Sequence, residues 1–329
     1  MKIAVVQMPP HPRDTPPFEM ALTAAILRRQ GHEVAVFDVN NDLYHETFKQ
    51  RPLWKFPLTG HSVEPQAAIF KTEAESFARH ADRLLACRPD AVIFKTENAF
   101  FNALNMALIV KQKSPATVLI GSGTNHSDKG QIARWKRDEL ECPESSFDYH
   151  ILGEDDIVLP EVLSAIGRGT RGELAERFQM TGRIIDATAG PHLDNLEELP
   201  FYDFTDYDFA RYGDPQTIRL NASRGCIQHC AFCQDWALGG KYRRMNAERL
   251  FEEYRCQHQR HPKILHLQFY DRLLNGDVAV LERFCDLLIA EYGAKALSGG
   301  GGPPVIWAGD FIIRPEMSDA LIEKMARAQ

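Results

Sequence analysis

Three thiols crowd into eight consecutive positions of this chain: Cys226, Cys230 and Cys233, within the segment SRGCIQHCAFCQDW at 223–236. Among chains with seven cysteines, chance would give the spacing C-x3-C-x2-C roughly three times in a thousand. In a reducing compartment, clustered thiols point to metal binding or catalysis rather than to a disulfide framework. The irons of a 4Fe-4S cube each need an outer ligand, and four thiolates usually supply them. Three thiolates leave one iron open to a chelating small molecule. The short spacing lets one loop wrap three corners of a cube, and Gly225 permits the tight backbone that wrapping requires. The competing arrangement is a zinc site with His229 or a distant histidine as fourth ligand. Zinc sites commonly join one C-x2-C pair to a second, and no later C-x2-C follows here. Inert burial suits these thiols poorly, because the loop that carries them also holds Arg224 and Gln228. Cys87, Cys142, Cys256 and Cys285 are scattered and need no role beyond packing.

The elements that must position this loop are legible on both sides of it. Short apolar runs alternate with helical patterns in the first half, the signature of a parallel sheet covered by helices. Strands are predicted at 2–7, 33–38, 91–95, 117–121 and 149–152. Phe18, Leu22, Ala25 and Ile26 recur at helical spacing between the first two, and Gly31 stands where a left-handed helix terminator is expected. A second helix runs up to Cys87, and a third covers 102–113 and stops before Pro115. Open sheets of this kind bind ligands beyond the carboxyl ends of their strands. The loops to inspect are therefore 8–12, 96–98, 121–124 and 153–155. Pro10, Thr96, Gly121, Ser122, Gly123, Gly153 and Glu154 are the candidate ligand-binding residues there.

From 169 to 214 the periodicity weakens, with Pro191, Pro200 and an acidic stretch from Asp194 to Glu198, so this part reads as a connection with one short strand near 183–186. Alternation then resumes. Strands are expected at 217–221, 264–269 and 305–309, and helices at 247–259, 278–292 and 316–328. The segment SGGGGPP at 298–304 reads as a flexible insertion. The predicted organisation is thus α/β throughout: a doubly wound parallel sheet at 1–168, a connection at 169–214, and a second domain of three βα units at 215–329.

Composition bounds the partners. A 44% hydrophobic content over 329 residues is enough for two cores, and a net charge of -7 with interspersed signs gives no reason to expect nucleic acid. No run approaches the roughly 18 apolar residues that would span a bilayer, so the cytoplasm is expected by elimination.

The C-x3-C-x2-C loop with Phe232 just before its last cysteine resembles the defining loop of the radical-SAM superfamily. That resemblance implies that Cys226, Cys230 and Cys233 ligate a 4Fe-4S cluster and that the neighbourhood of Phe232 contacts the adenine of S-adenosylmethionine. It further implies one-electron cleavage of S-adenosylmethionine to a 5'-deoxyadenosyl radical. Downstream, LHLQFYDRLLNGD is similar to the family's second strand and loop, where an acidic residue lies near the S-adenosylmethionine amino group. Asp271 holds that position, and Arg272 replaces the usual second acidic residue.

Upstream, Pro9-Pro10, QGHEVAVFD, RPDAVIF, the Gly121 loop and ILGEDD leading through LDNLEELP resemble, in order, the subgroup with an amino-terminal cobalamin-binding domain. The second domain then corresponds to the first half of a partial (β/α)6 barrel, incomplete at its carboxyl end, and another chain completing the barrel is one way to close it. The resemblance covers nearly the whole chain and implies cobalamin-dependent methylation of an unreactive carbon, with a flavodoxin or ferredoxin as electron donor. Cyclisation, rearrangement or sulfur insertion without cobalamin is the alternative chemistry. A corrinoid-binding scaffold with an inactive half barrel is the alternative of another class. No D-x-H-x-x-G stands in the first loop to ligate cobalt, and His11 reads as a solvated loop residue. The Gly121–Gly123 turn is expected to let a corrin or its nucleotide tail approach the backbone. Arg314 is a candidate for the S-adenosylmethionine carboxylate, although an exposed arginine at a helix start is the simpler reading. His229 and His266 are the candidate proton carriers.

Overall fold

A computed structural model describes residues 1–48, 63–96, 99–124, 147–188, 192–233, 240–297 and 305–328. The SGGGGPP insertion, Asn98 and Cys142 lie outside the described residues. The chain divides into two compact units, one holding 1–13 and 19–193, the other 14–18 and 194–329.

The first unit is built on a seven-stranded sheet of order β2-β1-β3-β4-β5-β7-β6. Its strands are β1 (Lys2–Gln7), β2 (Glu33–Asp38), β3 (Ala91–Lys95), β4 (Val118–Thr124), β5 (Tyr149–Leu152), β6 (Met180–Thr181) and β7 (Ile184–Asp186). Every neighbouring pair is parallel except β6 with β7. β3 is buried at every position and β1 at all but its first, as expected of near-continuous apolar strands covered on both faces. The covering helices are α1 (Phe18–Arg29), α2 (Val39–Leu43), α3 (Val63–Ala86), α4 (Phe100–Lys113), α5 (Val158–Arg168) and the short α6 (Leu174–Arg177). Phe77, Phe94, Met106 and Leu119 meet in the core on one side. Gly31 (φ 82°) ends α1 as expected, and Gly169 (φ 72°) ends α5 in the same left-handed way.

The strand order reverses between β1 and β3, which places the switch-point crevice beside the ends of these two strands. Part of the expected connection is structured. β6 and β7 form a hairpin across Gly182 (φ 59°), and Ile185 is fully buried, so the sheet continues to Asp186.

The second unit holds a three-stranded parallel sheet of order β12-β11-β8, with β8 (Thr217–Leu220), β11 (His266–Phe269) and β12 (Ile306–Ala308). Three helices follow the expected alternation: α7 (Ala247–Arg260), α8 (Val278–Leu297) and α9 (Asp319–Arg327). Register puts Ile218, Leu220, Leu267, Phe269 and Trp307 on one face, where they are buried. Phe284 of α8 stacks edge-on against both Phe269 (5.9 Å) and Trp307 (5.6 Å). The Trp307 indole donates to the Ala328 carbonyl at 2.9 Å, tying down the end of α9. The opposite face carries Thr217, Arg219, His266, Gln268, Ile306 and Ala308. Among the described residues this face is partly uncovered: His266 is exposed and Ile306 is 47% exposed. Three βα units in this order are the first half of a partial (β/α)6 barrel, following the doubly wound unit.

Candidate functional site

The cysteine loop leaves the carboxyl end of β8. Its base is a two-residue antiparallel ladder of β9 (Ser223–Arg224) with β10 (Arg243–Arg244), which closes residues 225–242 into one loop. Gly225 (φ 72°) turns the chain out of that ladder in a conformation that only glycine adopts freely. The Gln228 amide donates to the Cys226 sulfur at 3.4 Å, and the Cys233 amide donates to the Cys230 carbonyl at 3.0 Å. The second contact folds 230–233 into a turn.

All three sulfur-bearing residues are half-buried, whereas Phe232 between them is 91% exposed. Phe232 thus stands beside the thiols with its ring face available. No three His, Cys, Asp or Glu side chains converge on a single ion among the described residues. A cube holds its thiolates at separate irons and so spreads them further apart than one ion does. The donor set, three thiols on one tight loop, fits a cube with one iron left for another ligand. Residues 234–239 of the loop lie outside the described residues.

Asp271 faces inward. Its carboxylate is 2% exposed and accepts the Ala222 amide at 3.1 Å on both oxygens, together with the amide and hydroxyl of Ser223. Both oxygens are therefore committed to the start of the cysteine loop rather than facing outward. Burial pushes its pKa up to about 6, against the lowering effect of those donors. Arg314 is likewise engaged: it donates to the carbonyls of Asn275 (2.9 Å) and Gly276 (2.7 Å) and pairs with Glu316 at 3.0 Å. It lines an open cleft of about 840 Å³ on the carboxyl side of β11 and β12, shared with Lys241, Tyr242, Arg244 and Asp277. There Arg244 grips Asp277 at 2.7 and 2.9 Å, and the same carboxylate caps α8 through the Ala279 and Val280 amides. His229 is exposed on the cysteine loop, and His266 lies on the partly uncovered sheet face.

In the first unit the candidate residues do collect at the carboxyl edge, but several face inward. Pro10 is buried behind a cis Pro9-Pro10 bond, and the Pro9 carbonyl accepts from the Asn102 amide group at 2.9 Å. The backbone of half-exposed His11 is held by Asn40 at 3.1 and 3.2 Å, and the His11 ring lies 2.9 Å from the Pro12 carbonyl. Thr96 is buried, with its amide and hydroxyl both on the Ser122 carbonyl at 2.8 and 3.1 Å. Ser122 is buried and donates its hydroxyl to the Asp155 carboxylate, which Lys95 also grips at 2.8 Å. Burial alone would lower the Lys95 pKa, but Asp155 and Glu19 outweigh it and hold the ammonium above its ordinary range. Gly153 (φ 96°) turns the chain after β5, and Glu154 lies 3.6 Å from His192.

At Gly121 and Gly123 the side on which a Cβ would stand is occupied. A Cβ at Gly121 would stand 2.8 Å from the His150 ring and 2.9 Å from Phe147, and one at Gly123 would stand 2.8 Å from the Lys95 side chain. The close approach that these glycines permit is made by the protein's own side chains.

Sequence reasoning missed Lys95 and Asp155 as a buried pair, and it missed the Arg244–Asp277 clasp. The polar Lys95 closing an otherwise apolar strand was the available signal for the pair; KYRR, immediately before α7, was the signal for the clasp.

A doubly wound sheet followed by a half barrel with three thiols at the carboxyl end of its first strand defines the architecture as a two-unit α/β protein. No family model matches the chain. It is 26% identical over 250 residues to the hopanoid C-3 methylase of Methylococcus capsulatus, covering 73% of this chain and 40% of that protein. It is 19% identical over 305 residues to the anaerobic magnesium-protoporphyrin IX monomethyl ester cyclase of Synechocystis, covering 88% of this chain and 53% of that one. The chain thus spans about half the length of these curated relatives. Among solved structures it is similar to the radical S-adenosylmethionine methyltransferase TsrM from Kitasatospora setae. With tryptophan substrate and a SAM analog bound, TsrM superposes at a TM-score of 0.62, with 14% identity over 99% of this chain and 57% of that one. With cobalamin and a [4Fe-4S] cluster bound, it gives 0.58 and 14% identity over 99% and 59%. The chain is thus similar in sequence to these two enzymes and shares the fold of TsrM over nearly its whole length. No helix among the described residues is long and apolar enough to cross a membrane.

Proposed function

We propose that Cys226, Cys230 and Cys233 hold three irons of a 4Fe-4S cluster and that S-adenosylmethionine takes the fourth. The observation that carries this reading is the three-thiol loop, closed at its base by the β9–β10 ladder and set at the carboxyl end of the first barrel strand. When bound, the cluster supplies one electron to the sulfonium, releasing a 5'-deoxyadenosyl radical able to take hydrogen from an unreactive carbon. The chain's own residues fix the loop. Gly225 turns it, the Gln228 amide supports the Cys226 sulfur, and exposed Phe232 offers a face for the adenine.

The outcome we propose for the whole protein is methylation of an unreactive carbon with a corrinoid as methyl carrier. Its support is the similarity to TsrM and the hopanoid methylase, since at Gly121 and Gly123 the described residues fill the space themselves. The cyclase relative supports a second reading, radical chemistry that forms a ring without methyl transfer. A cytoplasmic setting, a flavodoxin or ferredoxin as donor, and a second chain that completes the barrel are part of the same proposal.

Anaerobic reconstitution tests it. Purified chain should bind iron and sulfide and release 5'-deoxyadenosine from S-adenosylmethionine and dithionite, and Cys226→Ala, Cys230→Ala and Cys233→Ala should each abolish release. Corrinoid retention after incubation with hydroxocobalamin separates the methylation reading from the cyclisation reading. Colourless, iron-free protein would overturn both readings, and a loaded cluster with no 5'-deoxyadenosine would leave a scaffold.

A further inference from the structure

The junction from which the cysteine loop departs is enclosed by the exit of the neighbouring strand. Asn221, Ala222 and Ser223 follow β8, and Ala222 and Ser223 are buried. The Asn221 amide donates to the Tyr202 hydroxyl at 3.2 Å, and the Asn221 side chain donates to the Tyr270 carbonyl at 2.7 Å. The Ala222 carbonyl accepts from the Met245 amide at 2.8 Å. That leaves the Ala222 and Ser223 amides, both of which point at one carboxylate, that of Asp271. The Ser223 hydroxyl joins them. The Tyr242 phenol packs against Gly276, which follows Asp271 on the same strand exit, and burial pushes its pKa up to about 12.

We propose that Asp271 is a positioning residue: from inside the fold it fixes the Ala222–Ser223 junction and so the direction in which the cysteine loop leaves β8, and it makes no contact with S-adenosylmethionine. The inference rests on the reading that the three cysteines hold a cluster. Cys226 is the third residue after Ser223, and only Gly225 among the intervening residues turns left-handed, so a shift of the Ser223 amide is carried directly to the first thiolate. A carboxylate is suited to this place because it accepts two amides and a hydroxyl at once, whereas an amide side chain has one acceptor oxygen and turns a donor toward the remaining N–H.

The test compares reconstituted wild type with Asp271→Asn and Ser223→Ala. Wild type must first bind iron and release 5'-deoxyadenosine; if it does neither, the cluster reading falls, independently of Asp271. With wild type active, Asp271→Asn should keep its far-ultraviolet circular dichroism while the reduced cluster changes its electron paramagnetic resonance line shape before any S-adenosylmethionine is added. Its kcat should fall about tenfold, with KM for S-adenosylmethionine held within about twofold. Ser223→Ala, which removes one of the donors, should shift the same signal by less. A wild-type cluster signal in Asp271→Asn with KM raised about tenfold would place the carboxylate on S-adenosylmethionine and overturn the proposal. If Asp271→Asn does not fold, Ser223→Ala decides, and a wild-type signal and kcat there would overturn it as well.

Discussion

The Lys95–Asp155 pair offers the sharpest energetic test of the first unit. Lys95 is 3% exposed and Asp155 15%, their charged atoms are 2.8 Å apart, and Thr23 (3.4 Å from Lys95) and Ser122 (to Asp155) supply further hydrogen bonds. Removing one partner of a buried pair costs about 3–5 kcal/mol, because the other charge stays behind uncompensated. Asp155→Asn should lie in that range. Its ceiling comes from the lysine's own escape route: shedding a proton at pH 7 from a group of ordinary pKa 10.5 costs about 5 kcal/mol. Lys95→Met should cost less, about 2–3 kcal/mol, since Asp155 keeps the Ser122 hydroxyl and some solvent. The double variant Lys95→Met/Asp155→Asn should be no more destabilised than Asp155→Asn alone, giving a coupling energy of at least about 2–3 kcal/mol. A chain with two units need not unfold in one step, so the assay is native-state hydrogen exchange read on the peptides of β1, β3 and β4. Single-variant losses under about 1 kcal/mol, or strict additivity in the double, would refute the assignment of a tightly coupled interior pair.

Three further outcomes follow from the same kind of geometry. Gly276→Ala would place a Cβ 2.6 Å from the Tyr242 hydroxyl and closer still to its ring, so it should destabilise the second unit by about 1–3 kcal/mol, with recovery in Gly276→Ala/Tyr242→Ala; thermal melting of both variants checks this. Burial lowers the His150 pKa to about 4, so below pH 6.5 the unfolded chain takes up a proton that the folded chain refuses. The first unit should therefore lose about 3 kcal/mol as pH falls from 6.5 to 4, a loss that His150→Phe removes and that pH-dependent hydrogen exchange measures. Tyr254→Phe removes the hydroxyl that donates to the Val305 carbonyl at 2.6 Å and accepts the Val305 amide at 3.0 Å, and should cost about 1–3 kcal/mol by denaturant titration, with the ring contacts to Phe284 and Tyr292 retained.

How far the fold was legible depended on how locally each element was specified. β1, β2, β3 and β5 begin and end where the apolar runs do. β4 is different: it continues through Gly121 and Gly123 to Thr124, because the absence of side chains there admits His150, Phe147 and Lys95 and does not end the strand. α9 starts at Asp319 rather than at 316, since the Ser318 hydroxyl oxygen accepts the Leu321 amide at 3.2 Å and residues 314–317 turn first. The β6–β7 hairpin and the β9–β10 ladder are too short to show a period of two, and Arg243 and Arg244 carry no apolar signal at all.

The site divides along the same line. A thiol cluster is a local pattern, so Cys226, Cys230 and Cys233 could be read from their spacing. The groups that fix the loops are non-local: in the second unit Asp271 meets Ser223 at the base of the cysteine loop across 48 positions, and in the first unit Lys95 meets Asp155 across 60. Nothing in the neighbourhood of either residue announces its partner, and each resembles an ordinary polar residue at a strand end. Asp271 illustrates the consequence. Its place after the second barrel strand suggested a residue facing a ligand, yet its carboxylate is 2% exposed and holds two buried amides and a hydroxyl, so turning it toward a ligand means releasing one of them. Releasing a buried amide costs about 1–3 kcal/mol, so an S-adenosylmethionine amine would have to return at least that much to draw Asp271 away from the loop. Holding the loop is therefore the lower-energy task for Asp271, whereas the Phe232 ring on the same loop is exposed.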